Sequence, residues 1–253
     1  MSKLKIIFFG TPSFAVDSLH EIQLNYSVDF IVTTPDKKSG RGQKINESEV
    51  KQYAKKNNIK ILQPENLNDK EFINQIEAIQ PDLIVVVAFR KLPFEIFSIP
   101  KYGTINLHAS LLPNYRGAAP INWCLINNEK KTGVTTFYIN ERIDQGDILL
   151  KEEIIISDED DFGSLYMKLS SIGSKLLVKT INGIITNTLK ASKQIKDEND
   201  TRKKNLFLDK EGKIFFDMVY SSQKTRIFNA LKNSSSDSVI KFKEVLNKII
   251  DGR

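Results

Sequence analysis

The stretch PDLIVVVAFR, residues 81–90, carries the clearest statement of fold in the chain. Leu83 to Val87 are apolar at all five positions, so a strand made from them is buried on both faces. Such a strand belongs near the middle of a parallel sheet with helices on either side. Upstream, the run Lys5–Phe9 reads as a strand ended by Gly10, followed by a helix over Phe14–Ile22 and a second strand over Val28–Thr33. A polar loop from Thr34 to Asn46 leads to a helix at Glu49–Lys56, a short strand at Ile59–Leu62 and a helix at Asp69–Ile79. Downstream come strands at Thr104–Leu107, Val134–Ile139 and Asp147–Ile156, the last with more polar alternation and so nearer an edge. Asp158–Asp161 mark the start of a long helix, Phe162–Ile181, which Gly183 is expected to close. This alternation predicts a doubly wound, mostly parallel α/β domain over residues 1–189.

Residues 190–205 (KASKQIKDENDTRKKN) have the composition of a linker. Residues 206–253 form a short C-terminal appendage with a strand at Lys213–Phe216, a helix at Ser222–Leu231 and an amphipathic segment at Val239–Ile250. That length is small for an independent core, so docking on the main domain is expected. Charge divides in the same place. Residues 1–189 hold 22 basic and 22 acidic side chains, whereas residues 190–253 hold 15 and 9, so the whole net +6 sits at the C-terminal end. A basic tail on a neutral body suits a polyanionic partner. A 40% apolar fraction with 15 Phe excludes a disordered chain. The single cysteine, Cys124, excludes an internal disulfide and a cysteine-rich metal site, which suits a reducing compartment. No stretch approaches the ~20 apolar residues of a membrane span, and a soluble cytoplasmic protein is expected.

Two histidines are available for chemistry. His20 lies in the first helix pattern with no polar group recurring around it, and reads as structural. His108 follows a buried strand, where ligands of open α/β sheets bind. Asn106 is two residues away and shares its strand face. An amide donor beside an imidazole suits acyl transfer, one stabilising an oxyanion and the other moving a proton. Asp144, in the turn Ile143–Asp147, could orient the imidazole. No metal-ligand cluster is present, and Gly10-Thr11-Pro12 lacks the spacing of a dinucleotide-binding loop.

NLHASLLPNYRGAAPINW, residues 106–123, resembles the signature of the formyltransferases that use 10-formyltetrahydrofolate, and within them is most similar to the methionyl-tRNA formyltransferases. FFGTPSFAV at 8–16, TTPDKKSGRGQKINESEVKQYA at 33–54 and PDLIVVVAFRKLP at 81–93 agree, so the likeness spans about residues 3–189. It implies that Asn106, His108 and Asp144 are catalytic and that Ser110, Leu111, Leu112 and Pro113 line the folate site. Backbone near Val87–Pro93 and Ile139–Asp144 would hold the pterin. The implied reaction moves the formyl group of 10-formyltetrahydrofolate to the α-amine of methionyl-initiator tRNA, without a metal and in a monomer.

The sequence departs from the family pattern in two places. Asn140 and Arg142 stand in the second signature where an Asp and a Gly are usual, which is expected to reshape that loop. The residues after 205 are also too few for the oligonucleotide-binding barrel that normally follows. Acceptor choice rests on the loop Asp36–Lys44, where Lys37, Lys38, Arg41 and Lys44 are cationic and Gly40 and Gly42 flank Arg41. A guanidinium between glycines can approach a phosphate closely, and Arg41 and Lys44 are the expected tRNA contacts. The short tail favours another reading, N-formylation of an amino sugar carried on a nucleotide. A non-catalytic RNA-binding remnant is the third, against which the intact Asn106, His108 and Asp144 argue.

Overall fold

The computed structural model describes residues 4–39 and 44–194. The chain divides into a unit of residues 1–200 and a second of 201–253. The second unit lies outside the described residues, and with it the expected strand, helix and amphipathic segment of the appendage.

The elements run β1 (Ile6–Gly10), α1 (Ser13–Asn25), β2 (Val28–Val32), β3 (Lys37–Ser39), β4 (Lys44–Asn46), α2 (Glu49–Lys56), β5 (Lys60–Leu62) and α3 (Lys70–Ile79). They continue with β6 (Leu83–Val87), α4 (Phe94–Phe97), β7 (Thr104–His108), α5 (Pro120–Ile126), β8 (Lys131–Tyr138), β9 (Ile148–Ile155) and α6 (Phe162–Ile185). Seven strands form one sheet in the order β5-β2-β1-β6-β7-β8-β9. The five from β5 to β7 are parallel, and β8 and β9 are antiparallel to their neighbours. Strand order reverses between β1 and β6, which opens a crevice beyond Gly10 and Val87.

The pattern of β6 explains its place. All five residues are buried, with Leu83, Val85 and Val87 packing beneath α1 and α6, and Ile84 and Val86 packing against Phe72, Ile76 and Ile96 of α3 and α4. Each such side chain contributes roughly 1.5–3 kcal/mol when fully buried. α6 starts at a capping box in which the Asp161 carboxylate accepts from Ser164 N and the Ser164 hydroxyl meets the Asp161 backbone.

Three local expectations change. The polar loop after β2 contains a short antiparallel hairpin, β3–β4, that pairs Ser39 with Lys44. Arg41 falls between these strands and outside the described residues, and Lys44 is placed by its backbone alone. Gly183 does not close α6, which runs on to Ile185. A Cβ there would sit 2.3 Å from the Leu189 side chain, so the glycine instead lets Leu189 fold back on the helix. The chain from Lys190, expected as a linker, stays on the sheet as far as Gln194. Ser192 exchanges backbone hydrogen bonds with Ile148 at 2.7 and 2.8 Å. None of the described helices is long and apolar enough to cross a membrane.

Candidate active site

β7 lies between β6 and β8, pairing Asn106 with Val86 on one side and Phe137 on the other. Because side chains alternate, Asn106 and His108 emerge on one face at the carboxyl end of the strand. They form part of a cleft of about 540 Å³, within the range of small-molecule sites. Its walls include Pro12 and Phe14 after β1, Ala88–Leu92 after β6, Gly117–Asn122, and Ile139, Asn140 and Arg142–Asp144. Two of these segments are those expected to hold the pterin.

His108 is 8% exposed and is held from both sides. Its Nε2 lies 2.8 Å from the Tyr115 carbonyl, which can only accept, so this nitrogen carries a proton. Nδ1 faces Asp144 Oδ2 at 3.7 Å. The same carboxylate oxygen accepts from the backbone N–H of Gly117 at 2.7 Å. The two sides of the clamp are therefore a carbonyl and an N–H of one loop, residues 115–117, with Asp144 from another. Nδ1 is the position at which the ring can gain a proton, with a carboxylate beside it to stabilise the charge.

Several backbones here lie in the left-handed region. Ala88, Tyr115, Ala119 and Asp144 have φ near +50°, and Gly117 has φ +88°. A non-glycine residue in that region costs on the order of 1–2 kcal/mol, and such strain collects at functional sites. Arg142, which replaces a glycine of the family pattern, is not among the residues of positive φ. Its N–H is instead turned onto Asn140 Oδ1 at 2.9 Å. The expected reshaping does not follow from a forced conformation at Arg142. The left-handed residue of this loop is Asp144 itself.

The supports around the clamp are specific. The Tyr115 hydroxyl donates to Glu129 Oε1 and accepts from Asn127 Nδ2 at 2.9 Å. Burial, followed by the Glu129 contact, pushes this phenol up to about 12. Gly146 approaches Tyr138 so closely that a Cβ would stand 1.5 Å from its carbonyl oxygen. Arg90 lines the cleft, while its guanidinium donates to the carbonyls of Pro64 and Glu65 at 2.7 and 2.8 Å. Burial lowers its pKa.

Asn106, His108 and Asp144 thus come together, and Ser110–Pro113 do not join them in the cleft lining. The Ser110 hydroxyl donates to the Asn114 carbonyl at 2.6 Å, and the Ser110 carbonyl accepts from Thr135 Oγ1 at 2.7 Å. Leu112 is fully buried with Phe137 and Ile148, and its carbonyl accepts from Lys151 Nζ. The Ser110 and Leu112 carbonyls thus tie the turn to β8 and β9. His20 bonds Tyr53 at 3.1 Å on the surface, away from the cleft, as a structural residue would. The Tyr115 carbonyl, the Gly117 N–H and Gln194 escape sequence reasoning. Gln194 reaches the Asp144 loop from the far end of the domain.

Among the described residues, buried side-chain polar atoms without a hydrogen-bond partner are Thr11 Oγ1, Arg90 Nε and Asn106 Oδ1. Two of the three belong to the cleft wall, where a polar ligand would satisfy them. A carboxamide exchanges its O and N by a half-turn, so the Asn106 position can present an N–H. The described residues hold no group of three or more His, Cys, Asp or Glu able to bind a metal.

A cleft beyond the switch of a doubly wound sheet, with a clamped imidazole and an unsatisfied amide, has the groups that acyl transfer calls for. The family model described as Formyl transferase matches residues 4–181, and the chain belongs to that family. Among its relatives, methionyl-tRNA formyltransferase of Flavobacterium johnsoniae is 48% identical over 83% of this chain and 68% of its own. Methionyl-tRNA formyltransferase of Clostridium acetobutylicum is 46% identical over 98% of this chain and 81% of its own. Among solved structures, an N-formyltransferase from Helicobacter canadensis, in complex with folinic acid and dTDP-3-aminofucose, aligns with a TM-score of 0.56. It is 27% identical, over 76% of this chain and 68% of its own.

Proposed function

We propose that this chain transfers the formyl group of 10-formyltetrahydrofolate to the α-amine of methionyl-initiator tRNA, as the first step of translation requires. The observation that carries the reading is the clamped His108, with Nε2 on the Tyr115 carbonyl and Nδ1 facing Asp144 beside the unsatisfied Asn106. When bound, the folate supplies an activated formyl carbon. As the acceptor amine adds to it, negative charge grows on the formyl oxygen and Asn106 donates an N–H to that oxygen. His108 takes the proton of the attacking amine at Nδ1 and delivers one to the departing folate nitrogen. Asp144 stabilises the charged ring between these transfers. Backbone near Val87–Pro93 and Ile139–Asp144 holds the pterin. The Ser110–Pro113 turn, held by Thr135 and Lys151, lines the folate site.

Arg41 and Lys44 hold phosphates of the tRNA acceptor arm, helped by the basic residues after position 190. The protein acts as a monomer in the cytoplasm. The relatives near 48% identity favour a tRNA acceptor over the amino-sugar enzymes, a solved example of which shares 27%. The test offers methionyl-tRNA and a dTDP-linked amino sugar side by side with 10-formyltetrahydrofolate. kcat/KM should favour methionyl-tRNA by at least about 100-fold, a margin of roughly 2.7 kcal/mol. Preference for the sugar would replace this reading with the amino-sugar one.

A further inference from the structure

Gln194 uses its whole carboxamide. Nε2 donates to the carbonyls of Asp144 at 3.0 Å and Gly146 at 2.8 Å. Oε1 accepts from Arg116 Nε at 3.0 Å and Nη2 at 2.5 Å. The orientation is settled by the partners, because carbonyls only accept and a guanidinium only donates. Two residues earlier, Ser192 is paired with Ile148 at the start of β9, which fixes where Gln194 enters.

These bonds complete a ring around the clamp. Arg116 lies between Tyr115, whose carbonyl holds His108 Nε2, and Gly117, whose N–H holds the Asp144 carboxylate. Gln194 ties that loop to the backbone of Asp144, the residue at φ +52°. A strained residue keeps its conformation only where its surroundings over-determine it. The Gly117 N–H fixes the side chain of Asp144, and Gln194 fixes its carbonyl.

We propose that Gln194 is a positioning residue for formyl transfer, holding the Asp144 loop against the 115–117 loop so that the carboxylate stays on His108. The proposal rests on the function proposed above. It extends the working part of the catalytic unit to a residue whose surroundings in sequence read as a linker.

The test uses the full chain with Gln194→Ala and Gln194→Glu. Glutamate keeps an acceptor for Arg116 but sets a carboxylate oxygen against the carbonyls of Asp144 and Gly146. kcat with methionyl-tRNA should fall about 10-fold in Gln194→Ala and further in Gln194→Glu, with both KM values within about twofold. Hydrogen exchange over residues 114–119 and 141–147 should quicken about fivefold or more in both. Ser192→Ala, which keeps the backbone pairing, should leave both readouts at the wild-type level. Either readout staying at the wild-type value in Gln194→Ala overturns the proposal, as does a loss confined to KM. If the wild-type chain formylates no methionyl-tRNA, the functional reading fails instead, and the exchange measurement alone decides the role of Gln194.

Discussion

Asp144→Asn should lower kcat about 30-fold while leaving the loop in place. Asparagine tolerates the left-handed conformation that Asp144 adopts, and its side-chain oxygen can still accept from the Gly117 N–H. What disappears is the charge 3.7 Å from His108 Nδ1. At an effective dielectric near 20, two unit charges about 4 Å apart interact by about 4 kcal/mol. An imidazole carrying about half a charge at the top of the barrier realises about half of that. The resulting ~2 kcal/mol corresponds to roughly 30-fold in rate. Steady-state kinetics with each substrate varied at saturating levels of the other would show the loss in kcat, with both KM values within about twofold. A thermal melt should show the variant within a few degrees of wild type. A kcat within about threefold of wild type would refute the charge argument. A large fall in melting temperature would mean that the carboxylate holds the loop rather than the proton.

Three further outcomes follow from other features. Arg41→Ala should reduce methionyl-tRNA use about 10-fold and flatten the log K against log salt plot by about one unit, with folate KM unchanged; formylation indifferent to both the substitution and salt would exclude phosphate contact. Gly146→Ala must displace the Tyr138 carbonyl and should cost about 2 kcal/mol or more in stability together with most of kcat, so a variant that melts like wild type would contradict the contact. Tyr115→Phe leaves Glu129 and Asn127 without the phenol and should cost about 1–2 kcal/mol near pH 8. The folded phenol titrates near 12 against an ordinary value of about 10, so its contribution is full below pH 10 and lost as pH rises through about 12. In a difference absorbance titration against Tyr115→Phe, a phenol ionising near 10 would contradict this.

How far the sequence could be read depended on whether side chains or backbone carried the message. The apolar run Leu83–Val87 gave a buried central strand because nothing but double burial requires apolar residues at every position. Asn106 and His108 were legible as a pair since period-2 geometry alone puts them on one face. The partners of His108 and Asp144 include a carbonyl of Tyr115 and an N–H of Gly117, groups that every non-proline residue has and no pattern marks. Ser110–Pro113 read as a turn beside the site, but their ties to Thr135 and Lys151 are long-range and leave no mark in the local pattern. Gly183 reads as a helix stop in sequence, whereas in the fold Leu189 occupies the space above it. Gln194 sits in a polar, charged run, and its bonds reach back 48 and 50 residues. Local composition carries no trace of contacts at that distance.

The place of β1 in the sheet bears on how the protein is made. Ile6–Gly10 needs β2 on one side and β6 on the other. The second partner begins at Leu83, so a ribosome working at about 5–20 residues per second synthesises it roughly 4–15 s after β1. During that interval the run IIFFG has one edge open and its phenylalanines uncovered, which is the hazard of any apolar strand without a neighbour. Nascent chains in which Ile6–Gly10 has emerged and Leu83–Val87 has not should therefore engage chaperones at that strand.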